Sequence, residues 1–324
     1  MALTGFKRLV GRHTEIGILL IAALLIAYFS VSSDGRWANA YNIGTILQVT
    51  ATLGLMTLGV ALVIGTGEID ISVGSTFGMG ALVYLWLALR VDPTLAVLAA
   101  LAVGALIGAF NGLVITRTGT PSLIVTLGTL MIFRGLAIAL TDGFSFSIPY
   151  ASRGKFTYWL FGGGDIMGIN TAIIWLVLAL VILMVVLGAT RFGNRLLAVG
   201  GSAASAHSRG VRVDRVKLAA FIICGMLASF GGALEAGKLG FADGSMGRLM
   251  ELQAIASCVL GGCLLAGGQV SLVGALTGVF VLSSIQSYLV VMGVRPQWFM
   301  LLLGVIVVGA ALGDRVLRQW AIRR

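Results

Sequence analysis

The sequence predicts an all-α polytopic membrane protein of about ten transmembrane helices, and three observations predict it. Mean hydropathy is +1.04, charged residues make up only 10% of the 324, and the apolar runs recur along the whole chain. A soluble domain of this length would carry far more charge. In lipid, a helix is the single-segment structure that satisfies its own backbone N–H and C=O groups. No polar stretch is long enough for a separate aqueous domain, so residues 1–324 are expected to form one transmembrane domain.

Taken in order, the apolar runs divide into spans at about 16–32, 43–65, 73–89, 94–115, 121–141, 170–188, 216–234, 252–266, 270–290 and 297–313. Several fall short of the roughly 20 residues that cross a bilayer untilted, which predicts broken or re-entrant segments. The eighth, starting at Leu252, is the weakest.

Charge orients these spans. With the N-terminus inside, the inner segments hold 14 of the 22 Lys and Arg, including Lys7, Arg8 and Arg12, five arginines and Lys217 between 191 and 217, and Arg315 to Arg324. The outer segments hold seven (Arg36, Arg90, Arg153, Lys155, Lys238, Arg248 and Arg295), and Arg134 lies within a span. The excess places both termini in the cytoplasm. It also accounts for the net charge of +10 without a nucleic-acid partner. Trp37, Tyr41, Tyr84, Trp86, Tyr158, Trp159, Tyr288 and Trp298 fall near outer span ends, as an interfacial belt would. Lys7, Arg8 and Arg12 followed by Ala38-Asn39-Ala40 resemble a cleaved signal peptide, but the apolar run between is long for one and favours an uncleaved span.

Glycine contributes 46 residues. Gly104, Gly108 and Gly112 form a stripe on the fourth span, Gly74 and Gly78 on the third, and Gly274 and Gly278 on the ninth. Such stripes let helix backbones approach closely. Cys224, Cys258 and Cys263 lie in apolar runs without partners at zinc spacing and read as packing residues. No metal site or cofactor is expected on this chain.

Three polar features stand out. Residues 63–75, V-I-G-T-G-E-I-D-I-S-V-G-S, put Glu68 and Asp70 between spans two and three. In the charge-counted topology this turn faces the cytoplasm, so the carboxylates have water nearby and need no ionic partner. Asp70 or Ser72 caps the third span, and Gly65 and Gly67 permit the turn. A structural hairpin is favoured over a coupling-ion site, because carboxylates at span ends cost far less than at mid-depth. Arg134 lies seven residues, about 10 Å, from the outer end of its span, where a charge needs a partner, water or a route to the surface. An ion pair with Asp142 or a carbonyl contact that locks the bundle is favoured; lining a solute pathway is the alternative. The third feature is the basic loop of about 189–215. Ser202 is an N-cap, Ala203 to Arg209 a short helix and Gly210 its stop, a form suited to docking on a soluble partner.

With these residues in hand, the chain resembles the permease subunits of ribose-type sugar ATP-binding cassette (ABC) importers, which share the type II ABC importer permease fold. G-T-G-E-I-D-I-S-V-G-S is similar to that family's G-G-I-D-L-S-V-G segment, and T-P-S-L-I-V-T-L-G-T-L-M-I-F-R-G-L to its T-L-G-T…R-G stretch. R-F-G-N-R-L-L-A-V-G-G-S-A-A-S-A-H-S-R-G-V resembles its coupling segment, and E-L-Q-A-I-A-S-C-V-L-G-G-C-L-L-A-G-G its E-L-x-A-I-A-A-x-V-L-G-G block. Glu68 departs from the pattern, standing where the family usually has glycine, and so does Val270 after G-G-Q.

The resemblance implies ten helices in a bacterial inner membrane, a second permease subunit (identical or a sister chain), two cytoplasmic ATPase subunits, and a periplasmic or lipid-anchored solute-binding protein. It implies that Gly200, Gly201, Ser202, Ala203, Ala204 and Gly210 contact the ATPase. Gly67, Glu68, Asp70, Ser72, Gly74 and Arg134 are its candidate pathway or structural residues. The chain has no Walker A sequence of its own, so ATP is hydrolysed elsewhere. Two other readings remain open: a secondary carrier coupled through Glu68, Asp70 or Arg134, and an ABC permease for another solute, such as a branched-chain amino acid or a nucleoside. An intramembrane enzyme ranks last, since His13 and His207 both fall on the cytoplasmic side.

Overall fold

A computed structural model describes residues 14–147, 158–166 and 169–322. Lys7, Arg8, Arg12, His13, Arg153, Lys155, Arg323 and Arg324 lie outside the described residues. The chain is mostly helical, in the order α1 (Thr14–Ser32), α2 (Ala40–Gly65), α3 (Val73–Ala88), α4 (Pro93–Thr118), α5 (Ser122–Leu140), α6 (Thr171–Ala189), α7 (Arg191–Gly201), α8 (Ala203–Ser208), α9 (Val213–Leu239), α10 (Met250–Leu260), α11 (Leu272–Val291) and α12 (Gln297–Ile322). Two-residue strands pair antiparallel, Phe146–Ser147 with Phe241–Ala242 and Asp165–Ile166 with Ile169–Asn170. Among the described residues, α2, α4, α5, α6, α9 and α11 are long and apolar enough to cross a membrane; α1, α3, α10 and α12 contribute shorter apolar stretches.

The termini of these helices follow from their sequences. Asn39 caps α2 by accepting the Asn42 N–H at 2.9 Å, and Asp92 caps α4 from Thr94 at 2.9 Å with Pro93 behind it. Asn170 and Ser271 do the same for α6 and α11. The eighth expected span, 252–266, is corrected. Its helix α10 stops at Leu260, and residues 261–271 form a glycine-rich turn in which Gly262, Gly267 and Gly268 all take positive φ.

The centre of the bundle is α9, packed against α2, α3 and α4. Every residue of α2 from Thr50 to Gly65 is buried. The α4 stripe works as expected: a Cβ at Gly104 or Gly108 would collide with the carbonyl oxygens of Gly225 and Phe221 on α9. Gly274 and Gly278 likewise seat α11 against Gly261 and Ser257 of the α10 region.

The aromatic belt is only partly observed. Tyr41, Trp86 and Trp298 are exposed, but Trp37, Tyr84 and Tyr158 are buried. Trp37 packs on Phe29 edge-on and donates its Nε1–H to the Ser284 carbonyl at 3.3 Å, so it holds α1 to α11 rather than facing lipid headgroups. Proximity to a span end does not separate an interfacial aromatic from a core one.

Candidate functional site

The α2–α3 connector is the first place where the structure departs from expectation. Glu68 is not left to water: Lys217, in the first turns of α9, donates to its Oε1 at 2.5 Å, and both side chains are mostly buried. Asp70 is fully enclosed. Its Oδ1 accepts the Ser72 backbone N–H at 2.8 Å and the Ser72 hydroxyl at 2.6 Å, closing an Asx-type turn. Ser72 occupies the N-cap position of α3, yet its side chain caps nothing; it donates to Asp70 and accepts from the Asn111 side-chain amide at 2.8 Å. Burial pushes the Asp70 carboxyl up to about 6, against the opposing pull of the two Ser72 hydrogen bonds.

The connector is therefore a hub. The Ile69 N–H donates to the Ser122 hydroxyl at the start of α5, Asn111 reaches it from α4, and Lys217 from α9. Asn111, Ser122 and Lys217 were not legible as its partners. In sequence Lys217 reads as one more orienting charge, and the other two are single polar residues in apolar helices.

The basic segment after α6 is two helices rather than one. Thr190 caps α7, which buries Gly193, Leu196 and Val199 and turns its arginines outward. Ser202 then caps α8, accepting the Ser205 N–H at 3.2 Å. Helix α8 ends at Ser208, and Gly210 follows at φ +80°, the left-handed stop its sequence predicts. Ala203 and Ala204 are exposed, as are His207 and Arg209.

One backbone contact joins this segment to the hub. A Cβ on Gly200 would overlap the Gly65 carbonyl oxygen and the Gly268 amide nitrogen, which are themselves hydrogen-bonded at 3.1 Å. A Cβ on Gly67 would sit 3.3 Å from the Ala266 carbonyl oxygen. The end of α2, the end of α7 and the 261–271 turn thus meet backbone to backbone. The doubled glycines at 200–201 and 267–268 were the available sequence signal for this junction.

Farther along α3, beside Gly78, Arg134 of α5 donates Nη1 to the carbonyls of Gly244 (3.3 Å) and Met246 in the turn before α10. The carbonyl contact is the form observed, and Asp142 is not its partner. Glu251, in the first turn of α10, is near enough for charge interaction with Arg134 without forming an ion pair, and its Oε2 is buried and unpartnered. Gly74 makes room for that carboxylate, and Gly78 backs the Met246 carbonyl. Gly74 and Gly78 therefore seat this turn, whereas Gly80 seats α3 against Ser229 of α9.

Besides Arg134, Glu235 lies inside α9 with a buried, unpartnered Oε2. The seventh apolar run, 216–234, stops one residue short of this carboxylate. Among the described residues no group of three or more His, Cys, Asp or Glu side chains could hold a metal.

Residues 42–311 match the family described as the permease component of branched-chain amino acid transport systems. The chain is 38% identical to the ribose import permease protein of Bacillus subtilis over 307 residues, covering 94% of each chain. It is 29% identical to the xylose transport system permease protein of Escherichia coli, over 97% of this chain and 95% of that one. It is 33% identical to the autoinducer 2 import system permease protein of Yersinia pseudotuberculosis, over 95% and 86%. No solved structure matches. The resemblance read from four short segments thus extends along nearly the whole chain, and the protein belongs to the permease-component family of these binding-protein-dependent ABC importers, whose ATPase activity lies on a separate subunit.

Proposed function

We propose that the chain moves a monosaccharide or a related small polar solute across the bacterial inner membrane, receiving it from a binding protein. The ribose and xylose permeases among its relatives favour a sugar over an amino acid or a nucleoside. In this reading residues 1–324 are one permease domain that pairs with a second permease subunit. Helices α1, α3 and α12 add passes of their own and α10 a broken one that ends in the 261–271 turn, ten in all, with both termini cytoplasmic. Positive charge concentrated in 191–217 supports that orientation. The chain itself needs no cofactor.

Alternating access is driven through α7 and α8, with Gly200, Gly201, Ser202, Ala203, Ala204 and Gly210 forming the contact with the ATPase. The observation that carries this is the Gly200 junction. A displacement of the exposed pair α7–α8 has no flexible side chain to absorb it before it reaches the backbones of α2 and the 261–271 turn. Glu68, Asp70 and Ser72 then act as the structural hub that takes up this displacement. Arg134 holds the 244–246 turn and Gly74 leaves room for Glu251; neither is assigned a contact with solute.

Replacing Ala203 and Ala204 together by glutamate tests the reading in reconstituted permease with its ATPase subunits. Solute-stimulated ATP hydrolysis is expected to vanish while the purified permease keeps its thermal midpoint. Stimulation at the parental level rules the coupling role out.

A further inference from the structure

Three arginines of the basic segment converge on one cavity. Arg195 of α7, Arg212 from the turn before α9 and Arg215 in the first turn of α9 line a space of about 450 Å³ together with Phe192, Gly210 and Val216. No carboxylate lines it; Asp214, beside Arg215, lies outside the lining. The two ion pairs among the described residues are Lys217–Glu68 and Lys238–Asp165, and none of the three guanidinium groups has a hydrogen-bond partner there. Orientation of the chain requires only that positive charge lie on one side. It does not require three guanidinium groups to gather around one hollow without a counter-charge.

The surroundings say what the counter-charge is. The cavity lies just past the end of α6, the most apolar helix of the chain, whose Val181, Ile182 and Val185 are each more than half exposed. An apolar, outward-facing wall therefore leads up to Phe192 and the arginines. No residue of Ala203–Ser208 lines the cavity, so the exposed face of α8 lies outside it; Gly210 is the one residue it shares with the proposed ATPase contact.

We propose that this cavity binds the phosphate headgroup of an anionic phospholipid, with the acyl chains lying along α6. Guanidinium forks match phosphodiester oxygens in pairs, and basic pockets at cytoplasmic helix ends attract such headgroups. The inference rests on the reading that this face meets the cytoplasmic leaflet.

The test uses the full-length permease in nanodiscs of phosphatidylcholine containing a minority of phosphatidylglycerol or cardiolipin, with retained lipid counted by native mass spectrometry. The wild type is expected to keep anionic lipid in preference to phosphatidylcholine. Arg195→Gln, Arg212→Gln and Arg215→Gln each weaken retention about fivefold, and the triple variant on the order of a hundredfold. Arg90→Gln with Arg295→Gln, the same kind of charge loss elsewhere, leaves it unchanged. Should the triple variant fail to fold, the single variants carry the result.

Equal retention by wild type and the arginine variants overturns the proposal. Displacement of the retained lipid by millimolar inorganic phosphate turns the cavity into a free-anion site and overturns the lipid assignment. Loss of ATPase stimulation by the triple variant in discs of pure phosphatidylcholine hands the arginines to the ATPase subunit instead, which also overturns it. Retention is read with no ATPase or solute present, so failure of the importer reading leaves this measurement standing.

Discussion

The α2–α3 connector and the α7–α8 segment are both short, charged stretches between apolar helices, and they solve opposite problems. The connector turns its charges inward: Glu68 pairs with Lys217, Asp70 is enclosed, and polar side chains of three other helices point at it. The α7–α8 segment turns its arginines outward and buries Leu196, Val199 and Ala206 instead. Charge in a membrane-protein loop therefore does not by itself mean solvation. What separates the two is the neighbouring residues. An amphipathic helix with caps at both ends shows its own exposed face. A non-helical turn between two buried helices is covered by whatever packs around it.

The contact between the two regions offers the largest expected effect. Gly200→Val puts side-chain atoms into the Gly65 carbonyl and the Gly268 amide, neither of which can rotate away. Overpacking against fixed backbone costs about 3 kcal/mol, and solute-stimulated ATPase activity should be lost with it. Gly201→Ala, where an added Cβ meets nothing within 4 Å, should shift stability by no more than about 0.5 kcal/mol. Thermal unfolding read by the reaction of buried Cys224, Cys258 and Cys263 with a thiol dye compares the two variants directly. Similar midpoints for both would break the junction.

Asp70 sharpens the claim that the connector is a dry hub. Its carboxyl titrates near 6 when folded against 3.8 when free, so the folded state holds the proton more tightly. This contribution to stability is complete below about pH 3.8 and is lost as pH rises through about 6; at neutral pH the fold carries a buried carboxylate at a cost of up to about 3 kcal/mol. Asp70→Asn keeps an oxygen for the Ser72 N–H and hydroxyl and removes the charge. It should raise the midpoint at pH 7.5 and flatten its dependence on pH between 4 and 6. A lower midpoint for the variant at pH 7.5 would place an unseen cation or water beside the carboxylate.

The ion pair comes next. Glu68→Gln or Lys217→Met should each cost about 1–2 kcal/mol, with a coupling energy of about 1 kcal/mol in a double-mutant cycle, since both side chains retain some exposure and solvent screens them. Zero coupling would return Glu68 to the water-facing role its position first implied.

These outcomes bear on what the sequence made legible. Apolar run lengths located nearly every long helix within a few residues, because a span is a local property of composition. Caps such as Ser202 and stops such as Gly210 were legible for the same reason: each acts on backbone groups within three or four residues. The partners of Glu68 and Arg134 were not. Lys217 is 149 residues from Glu68, and the carbonyls held by Arg134 are 110 and 112 residues away and carry no side-chain signature at all. Glu235 was missed by a rule that works on average, that a span ends where a charge begins. Here α9 is surrounded by α2, α3 and α4 and continues past it.

The smallest effect belongs to the segment that sequence described best. Ser202 begins α8 by accepting the Ser205 N–H, and it is exposed. Ser202→Ala removes that acceptor, which typically costs about 1 kcal/mol. The loss is confined to a six-residue helix that buries only Ala206, so the global midpoint should hardly move. Faster amide exchange across Ala203–Ser208, with unchanged exchange in α2 and α9, is the expected signature. If α8 is the element pressed by the ATPase, stimulated hydrolysis should fall several-fold in the same variant, because a frayed helix transmits less of the push to Gly200. Loosening of α2 and α9 together with α8 would instead mean that the two regions unfold as one unit, and the contrast between an independent outer segment and a buried hub would no longer hold.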